Sequence, residues 1–408
     1  MVARKLVVSA AVVAALTSTF TRAADWPQWR GPNRNGISAE SGWTAKWSEQ
    51  PPSVPWRAEV GAGYPAVAVV GDRVYTSGNF EGFVKVKDTV FCLDAATGKK
   101  VWEYSYSSAK GTFPGPRATP TIDGDLLFTL GRHGDFICLK TKDGALAWKT
   151  DVRKEHGVKA EAKEWGLSCS PLIVGKDVIL DLGKVLAFDK TTGKLKFSMG
   201  DDVPAFSSPV LVQTGGKHYI TSLNAFGLVV YDLATRKAAG RQAWDAKWAA
   251  TSVTPIVSGD LLFVAAGYGR GCGLFRLKAD RLEPVYKNTD MNNESSTCVL
   301  YEGHLYGVSG DLGKKGHLKC VEFATGKVKW KGPELKVGGG LMIAGDKIIH
   351  MEGDGQIVIL EAAADACREL SRAKVLKGRC WTVPVLANGR VYCRNTKGSM
   401  VCLDVRKK

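Results

Sequence analysis

Cys92-Leu93-Asp94-Ala95-Ala96-Thr97-Gly98-Lys99-Lys100-Val101-Trp102 is the most informative stretch of the chain. It closes an apolar run, turns at an Asp followed by Thr-Gly-Lys, and arrives at a tryptophan. The Asp side chain is suited to accept backbone N–H groups of the turn, and the Gly supplies a positive φ at little cost. The unit returns at Cys138–Trp148, at Cys320–Trp330 and, with Phe in place of Trp, at Ala187–Phe197. Upstream of each copy stand a Ser/Thr-Pro or similar start, a short apolar segment, a Gly-Asp type of turn and a second apolar segment. Copies begin at Pro65, Pro120, Pro171, Pro209, Pro255, near Thr297, near Gly340 and at Pro384. Seven intervals separate the first from the last, a mean period of about 46 residues, which is the spacing of propeller blades.

The segments between turns are strand-like. Leu126-Leu127-Phe128, Val178-Ile179-Leu180 and Leu261-Leu262-Phe263-Val264 are short apolar runs bounded by Gly turns, without helical spacing. The expected fold is all-β, an eight-bladed β-propeller of four-stranded blades. The fourth copy is degenerate around Tyr231-Asp232 and Thr235, and the fifth loses its Thr-Gly turn. Glu361–Lys374 has helical propensity and is read as an eroded turn in blade seven. The eighth copy stops at Cys402-Leu403-Asp404 without a Trp segment, whereas Trp56-Arg57-Ala58-Glu59-Val60 matches Trp148-Lys149-Thr150-Asp151-Val152. The N-terminal piece is therefore expected to supply the last strand of the C-terminal blade, removing the open sheet edges. This makes 54–408 one domain behind an N-terminal extension, 24–53. Residues 1–23 have the layout of a signal peptide: Arg4 and Lys5, an apolar stretch from Leu6 to Leu16, and Thr21-Arg22-Ala23 before a cleavage point. A periplasmic or secreted location follows.

Composition agrees. Charged residues at 24% and apolar residues at 45% exclude a disordered, collagen-like or polytopic membrane chain. The 46 Gly and 12 Trp are largely turn and packing residues of the repeat. Net charge is +16, and +13 without Arg4, Lys5 and Arg22. That balance favours anionic partners, an envelope protein or an anionic glycan, while an exported chain with no basic-aromatic groove is not a nucleic-acid binder. Cys92, Cys138, Cys320 and Cys402 share one repeat position, which blade three fills with Ala187; they read as small, buried, free thiols. Cys367 and Cys380 flank a blade junction and are the candidate disulfide. No Cys-x-x-Cys occurs.

The eleven-residue unit resembles the tryptophan-docking motif of quinoprotein propellers, the PQQ-like repeat. Trp26-Pro27-Gln28-Trp29-Arg30-Gly31-Pro32, Gly115-Pro116-Arg117-Ala118-Thr119-Pro120, Trp165-Gly166, Gly267-Tyr268-Gly269-Arg270-Gly271 and Trp381-Thr382-Val383-Pro384 extend the likeness to secreted PQQ-like propeller proteins of planctomycete-type bacteria. The outer-membrane assembly factor of the BamB type is a more distant relative; it is a non-enzymatic lipoprotein, and this chain lacks a lipobox Cys. The resemblance implies two activities. A PQQ-dependent dehydrogenase would need the quinone, Ca²⁺ and a base, and alcohol-type members carry adjacent cysteines, which this chain lacks. The expectation is instead a non-catalytic, monomeric cell-envelope scaffold without cofactor, metal site or catalytic residue, with a glycan-binding propeller as an alternative. Blade one is longest, with extra length in Asn79–Asp88 and Ser105–Pro116, where binding loops belong. Polar and aromatic residues that break the repeat are candidates to converge at the channel mouth: Arg117, Trp165, Tyr268, Arg270, Asn292, Asn293, Arg394 and Asn395. No Gly-x-Ser-x-Gly or His-Glu-x-x-His is present, and His133 and His156 read as surface residues.

Overall fold

The computed structural model describes residues 24–47, 51–81, 86–161, 163 and 165–407; the signal-peptide segment 1–23 lies outside them. Eight sheets form the ring, seven of four antiparallel strands and one of five that includes a parallel edge strand. Blade one shows the pattern: Ala68–Val70 innermost, then Arg73–Glu81, Val86–Asp94 and, outermost, Lys100–Ser108. Each inner strand begins on what we term the mouth face. The Gly-Asp and Asp-x-x-Thr-Gly turns lie on the opposite, turn face.

The repeat residues explain the blade. The cysteine and the tryptophan are cross-strand partners: Cys92 with Trp102, Cys138 with Trp148, Cys320 with Trp330, and Ala187 with Phe197 in blade three. On the cysteine's other side stands an aromatic, Tyr75, Phe128 or Tyr306. A small residue between two rings lets them approach, and the ring centroids of Tyr75 and Trp102 are 6.0 Å apart. The tryptophan then ties its blade to the next. Trp102 Nε1 donates to the Thr141 carbonyl at 2.8 Å, and Trp148 Nε1 to that of Lys190 at 3.0 Å. Its ring lies against the turn glycine of that next blade: a Cβ on Gly144 would come within 2.6 Å of Trp102, and one on Gly193 within 2.6 Å of Trp148. Blade three has Phe197, and its neighbour has Arg236 where the glycine would be; the guanidinium lies 4.7 Å from the ring centre. The turn itself is held by Asp94 Oδ1, which accepts from Ala96 N, Thr97 N and the Thr97 hydroxyl.

Ring closure is as expected. Ser53–Glu59 pairs with Ser399–Asp404, Trp56 stands opposite Cys402, and Trp56 Nε1 donates to the Ala95 carbonyl of blade one at 3.0 Å. One expectation fails. Glu361–Lys374 is not an eroded turn: Glu369–Lys374 is the outer strand of blade seven, paired with Gln356–Glu361. Its alternation, with Ser371 and Ala373 buried and Arg372 and Lys374 exposed, overrides helical propensity once a strand edge is available.

Residues 24–47, assigned above to an extension, run across the turn face. Trp26 bridges Val69 of blade one, and Pro27 O accepts from Ile122 N of blade two. Arg34 donates to the Ser170 and Pro171 carbonyls of blade three, Trp29 Nε1 to Thr254 Oγ1 of blade five, and Arg30 to the Cys298 carbonyl of blade six. Ile37–Ser38 adds a parallel strand to the inner edge of blade seven, and Glu40 accepts from Asn388 N and Gly389 N of blade eight. Arg30 and Arg34 are buried, which lowers both guanidinium pKa values to about 10. This segment closes the far end of the central channel.

All ten cysteines are free. The Cys367–Cys380 bridge is not formed: Cys367 packs between blades six and seven, while Cys380 is buried in the cluster joining blades seven, eight and one. Desolvation raises the repeat thiols, Cys92 to about 11 and Cys138 and Cys402 to about 12.

Candidate functional site

A relay of hydrogen bonds runs around the channel at the blade starts. Ala66 N donates to Thr119 Oγ1, Thr119 N to Ser170 Oγ, Ser170 N to Ser208 Oγ, and Thr254 N to Thr297 Oγ1, each at 3.0 Å. The relay puts the preceding residues of successive blades in register. Two positions before it stand Tyr64, Arg117, Ser168 and Phe206, and Trp381 occupies the same place before Pro384. All five line a single cup on the mouth face, of about 280 Å³, completed by Phe113, Trp165, Tyr268, Glu294 and Leu312.

Five aromatics form a continuous band along one wall. Tyr64 and Trp381 stack at 6.0 Å with their planes 28° apart; Phe113 lies 6.4 Å from Trp381 and 6.3 Å from Trp165, which is 5.4 Å from Phe206. Arg117 lies over Tyr64 at 5.2 Å, and Arg379 over Trp381 at 5.5 Å. Three carbonyls of the long blade one–two connection, Thr112, Phe113 and Gly115, accept from Arg117. Burial lowers its guanidinium to about 10 and raises the Tyr64 hydroxyl. Arg132 pins the same connection through the Ala109 and Phe113 carbonyls. On the facing wall, Tyr268 Oη donates to Glu294 Oε1 at 2.8 Å, and Leu312 N donates to Oε2. Burial first, then the Glu294 carboxylate, push the Tyr268 hydroxyl up.

Of the eight residues expected at the mouth, three line the cup: Arg117, Trp165 and Tyr268. The other five hold backbone in place. Arg270 donates to the Asp245 carbonyl and covers Trp244 at 3.9 Å. Asn292 accepts from Gly269 N, and Asn293 donates to the Val308 carbonyl. Arg394 is buried among Thr76, Ser77 and Gly61, and Asn395 caps the turn to Ser399. His133 and His156 serve loops, His133 at the Ala109 carbonyl and His156 at the Thr150 hydroxyl. Tyr64, Ser168, Phe206 and Trp381 were missed, although a signal existed for three of them: Ser168, Phe206 and Trp381 each stand three residues before their blade-start proline, as Arg117 does, where residue type varies freely from blade to blade.

A wider pattern surrounds the cup. Among the described residues the exposed large aromatics are Phe80, Phe113, Phe226 and Trp248. Phe113, Phe226 and Trp248 sit in connections that open on the mouth face and Phe80 at the mouth end of the strand Arg73–Glu81, whereas the outer strands expose only aliphatics such as Val101, Leu146, Leu195 and Val328. Cations accompany the rings: Arg241 lies 4.4 Å from Phe226, and Lys163 and Lys247 lie 4.2 and 5.3 Å from Trp248.

Comparison with known proteins agrees with the architecture. The crystal structure of BamB from Moraxella catarrhalis superposes with a TM-score of 0.62 at 18% identity, covering 86% of this chain and 99% of that one. Quinohemoprotein alcohol dehydrogenase from Comamonas testosteroni gives 0.64 at 13% identity over 94% and 81%, and a europium-containing methanol dehydrogenase 0.67 at 12% over 91% and 89%. At such identities these likenesses establish the fold. A 129-residue segment, 31% of this chain, is 29% identical to the serine/threonine-protein kinase AfsK of Streptomyces griseus and spans 15% of its length. The family model described as outer membrane protein assembly factor BamB matches residues 86–332, more than half of the chain. The chain, a β-propeller of PQQ-like repeats, belongs to the BamB outer membrane protein assembly factor family.

Proposed function

We infer that the protein is a non-catalytic scaffold of the cell envelope that docks a protein partner through its mouth face. The observation that carries this reading is the gathering of Phe80, Phe113, Phe226 and Trp248 on that one face, beside unburied cations. Aromatic and Arg side chains dominate the binding energy of protein interfaces. Family membership supports a protein partner, and the leader-like residues 1–23 support export. Among the described residues no helix is long and apolar enough to cross a membrane.

The donor set of the cup supports a non-catalytic reading over a quinone enzyme. A quinone held with Ca²⁺ calls for several oxygen ligands to the ion. Among the described residues that line the cup there is one carboxylate, Glu294, too few oxygen ligands for such an ion. Among the described residues no group of three or more His, Cys, Asp or Glu is placed to hold a metal ion.

Photo-crosslinking tests the docking face. A photoreactive residue replaces Phe226 or Trp248 on the mouth face, or Lys99 or Lys194 on the turn face, in the exporting cell. Adducts to one defined envelope protein from the first pair alone are expected. Adducts only from the second pair, or quinone-dependent alcohol oxidation by the purified protein with added PQQ and Ca²⁺, would overturn the reading.

A further inference from the structure

The cup has an electrostatic feature that the docking face does not explain. Among the described residues neither Arg117 nor Arg379 pairs with a carboxylate. Two guanidinium groups with no direct carboxylate partner among the described residues thus stand by the aromatic band, Arg117 mostly enclosed and Arg379 exposed at its edge over Trp381. The opposite wall carries the reverse demand: the Glu294 carboxylate has capacity for further donors beyond Tyr268 and Leu312. The two walls call for a ligand that is anionic at one end and rich in hydrogen-bond donors at the other. Beside them the stacked Tyr64 and Trp381 present an aromatic surface to the cup. The Trp26–Ser38 segment crosses the channel below, so a ligand enters the cup from the mouth face and does not pass through the ring.

We propose that the cup binds the terminal residue of a carboxylated glycan, its ring on Tyr64 and Trp381, its carboxylate on Arg117 and Arg379, and its hydroxyls toward Glu294 and Ser168. Polyol hydroxyls donate to a carboxylate, whereas an acidic peptide would bring further carboxylates toward Glu294. This rests on the reading of the mouth face as the binding face and assigns its central cavity a ligand of its own.

Isothermal calorimetry on the purified protein tests the assignment with three probes: a galacturonic acid trimer, neutral maltotriose and triglutamate. The uronate trimer is expected to bind, with the other two markedly weaker. Arg379→Gln, whose guanidinium lies over Trp381, and Trp381→Leu are each expected to weaken uronate binding roughly ten-fold or more, as loss of a charge-assisted contact or of the aromatic surface requires. Arg117→Gln is expected to do the same, and its melting curve reports whether the connecting loop survives. Lys194→Gln on the turn face leaves binding unchanged. Equal binding of maltotriose overturns the anionic end, equal or tighter binding of triglutamate overturns the sugar, and no binding of any probe overturns the cup as a site. Crosslinks at Phe226 and Trp248 without uronate binding remove the glycan and keep the docking face; turn-face crosslinks remove both.

Discussion

Single residues carry unequal loads in this ring, and the turn glycines show it. Gly98 has φ +69, and a Cβ there would lie 2.5 Å from the Trp56 indole; Gly71 has φ +56 with nothing within 4 Å. Gly98→Ala is expected to destabilise by roughly 2–4 kcal/mol, from backbone strain plus the clash at the closing blade, and Gly71→Ala by about 1 kcal/mol, from strain alone. Urea unfolding of the two variants checks the difference. Asp181 offers a second test. It is buried, accepts from the Ser222 hydroxyl at 2.7 Å and from Gly183 N, and desolvation raises its pKa to about 6. A raised pKa means that the folded state binds the proton more tightly. The carboxyl has no effect on stability below its ordinary value of 3.8, lowers stability as pH rises toward 6, and holds that cost above. Asp181→Asn removes the dependence. Its stability relative to the wild type is expected to improve by roughly 2–3 kcal/mol between pH 4 and pH 7, read from denaturation curves at both.

At the scale of the element, the Asp-x-x-Thr-Gly turn and its tryptophan were legible because their reasons are local and repeat. Gly98, Gly144 and Gly193 need positive φ, and the cysteine must be small because rings flank it. The cup was legible in part. Arg117, Trp165 and Tyr268 break the repeat and face the cavity, but Arg270, Asn292, Asn293, Arg394 and Asn395 break it equally and satisfy buried backbone groups, the commoner use of a polar side chain in a tight ring. The turn-face segment could not be read. Trp26–Pro32 is conspicuous in sequence, yet Arg34 meets Ser170 and Arg30 meets Cys298 across more than a hundred residues, and no local pattern announces such pairings. Glu369–Lys374 failed for the same reason, since its strand state comes from its partner strand. The turn-face segment yields a prediction. Removing residues 24–40 deletes contacts to seven blades and uncovers apolar channel wall, so the shortened protein is expected to lose at least roughly 4 kcal/mol, seen as a lower urea midpoint.

Over the whole molecule, the eight blades behave as one closed unit with few reactive points. Of ten free thiols, nine are buried and Cys367 is half-buried. A water-soluble thiol reagent is therefore expected to modify at most Cys367 in the native protein within minutes, and all ten together on unfolding, because ring closure leaves no blade free to open alone. Stepwise release of thiols would show that blades unfold independently. The two faces also differ in kind: aromatic and cationic connections surround the cup, and hydrogen-bonded turns and the crossing segment cover the other side.

The crossing segment also sets an orientation. Ala24 and Asp25 are held at the turn face, where Asp25 accepts from Gly71 N and Ala24 N approaches Glu40. Any polypeptide joined ahead of Ala24 leaves from the side opposite the cup. A molecule tethered there, to a surface or to a fused domain, would project its aromatic mouth outward at the full thickness of the ring from its attachment, and one coupled through a mouth-face residue would hide it. Immobilised protein should therefore capture ligand when fixed through its amino end and fail to do so when fixed through position 226 or 248.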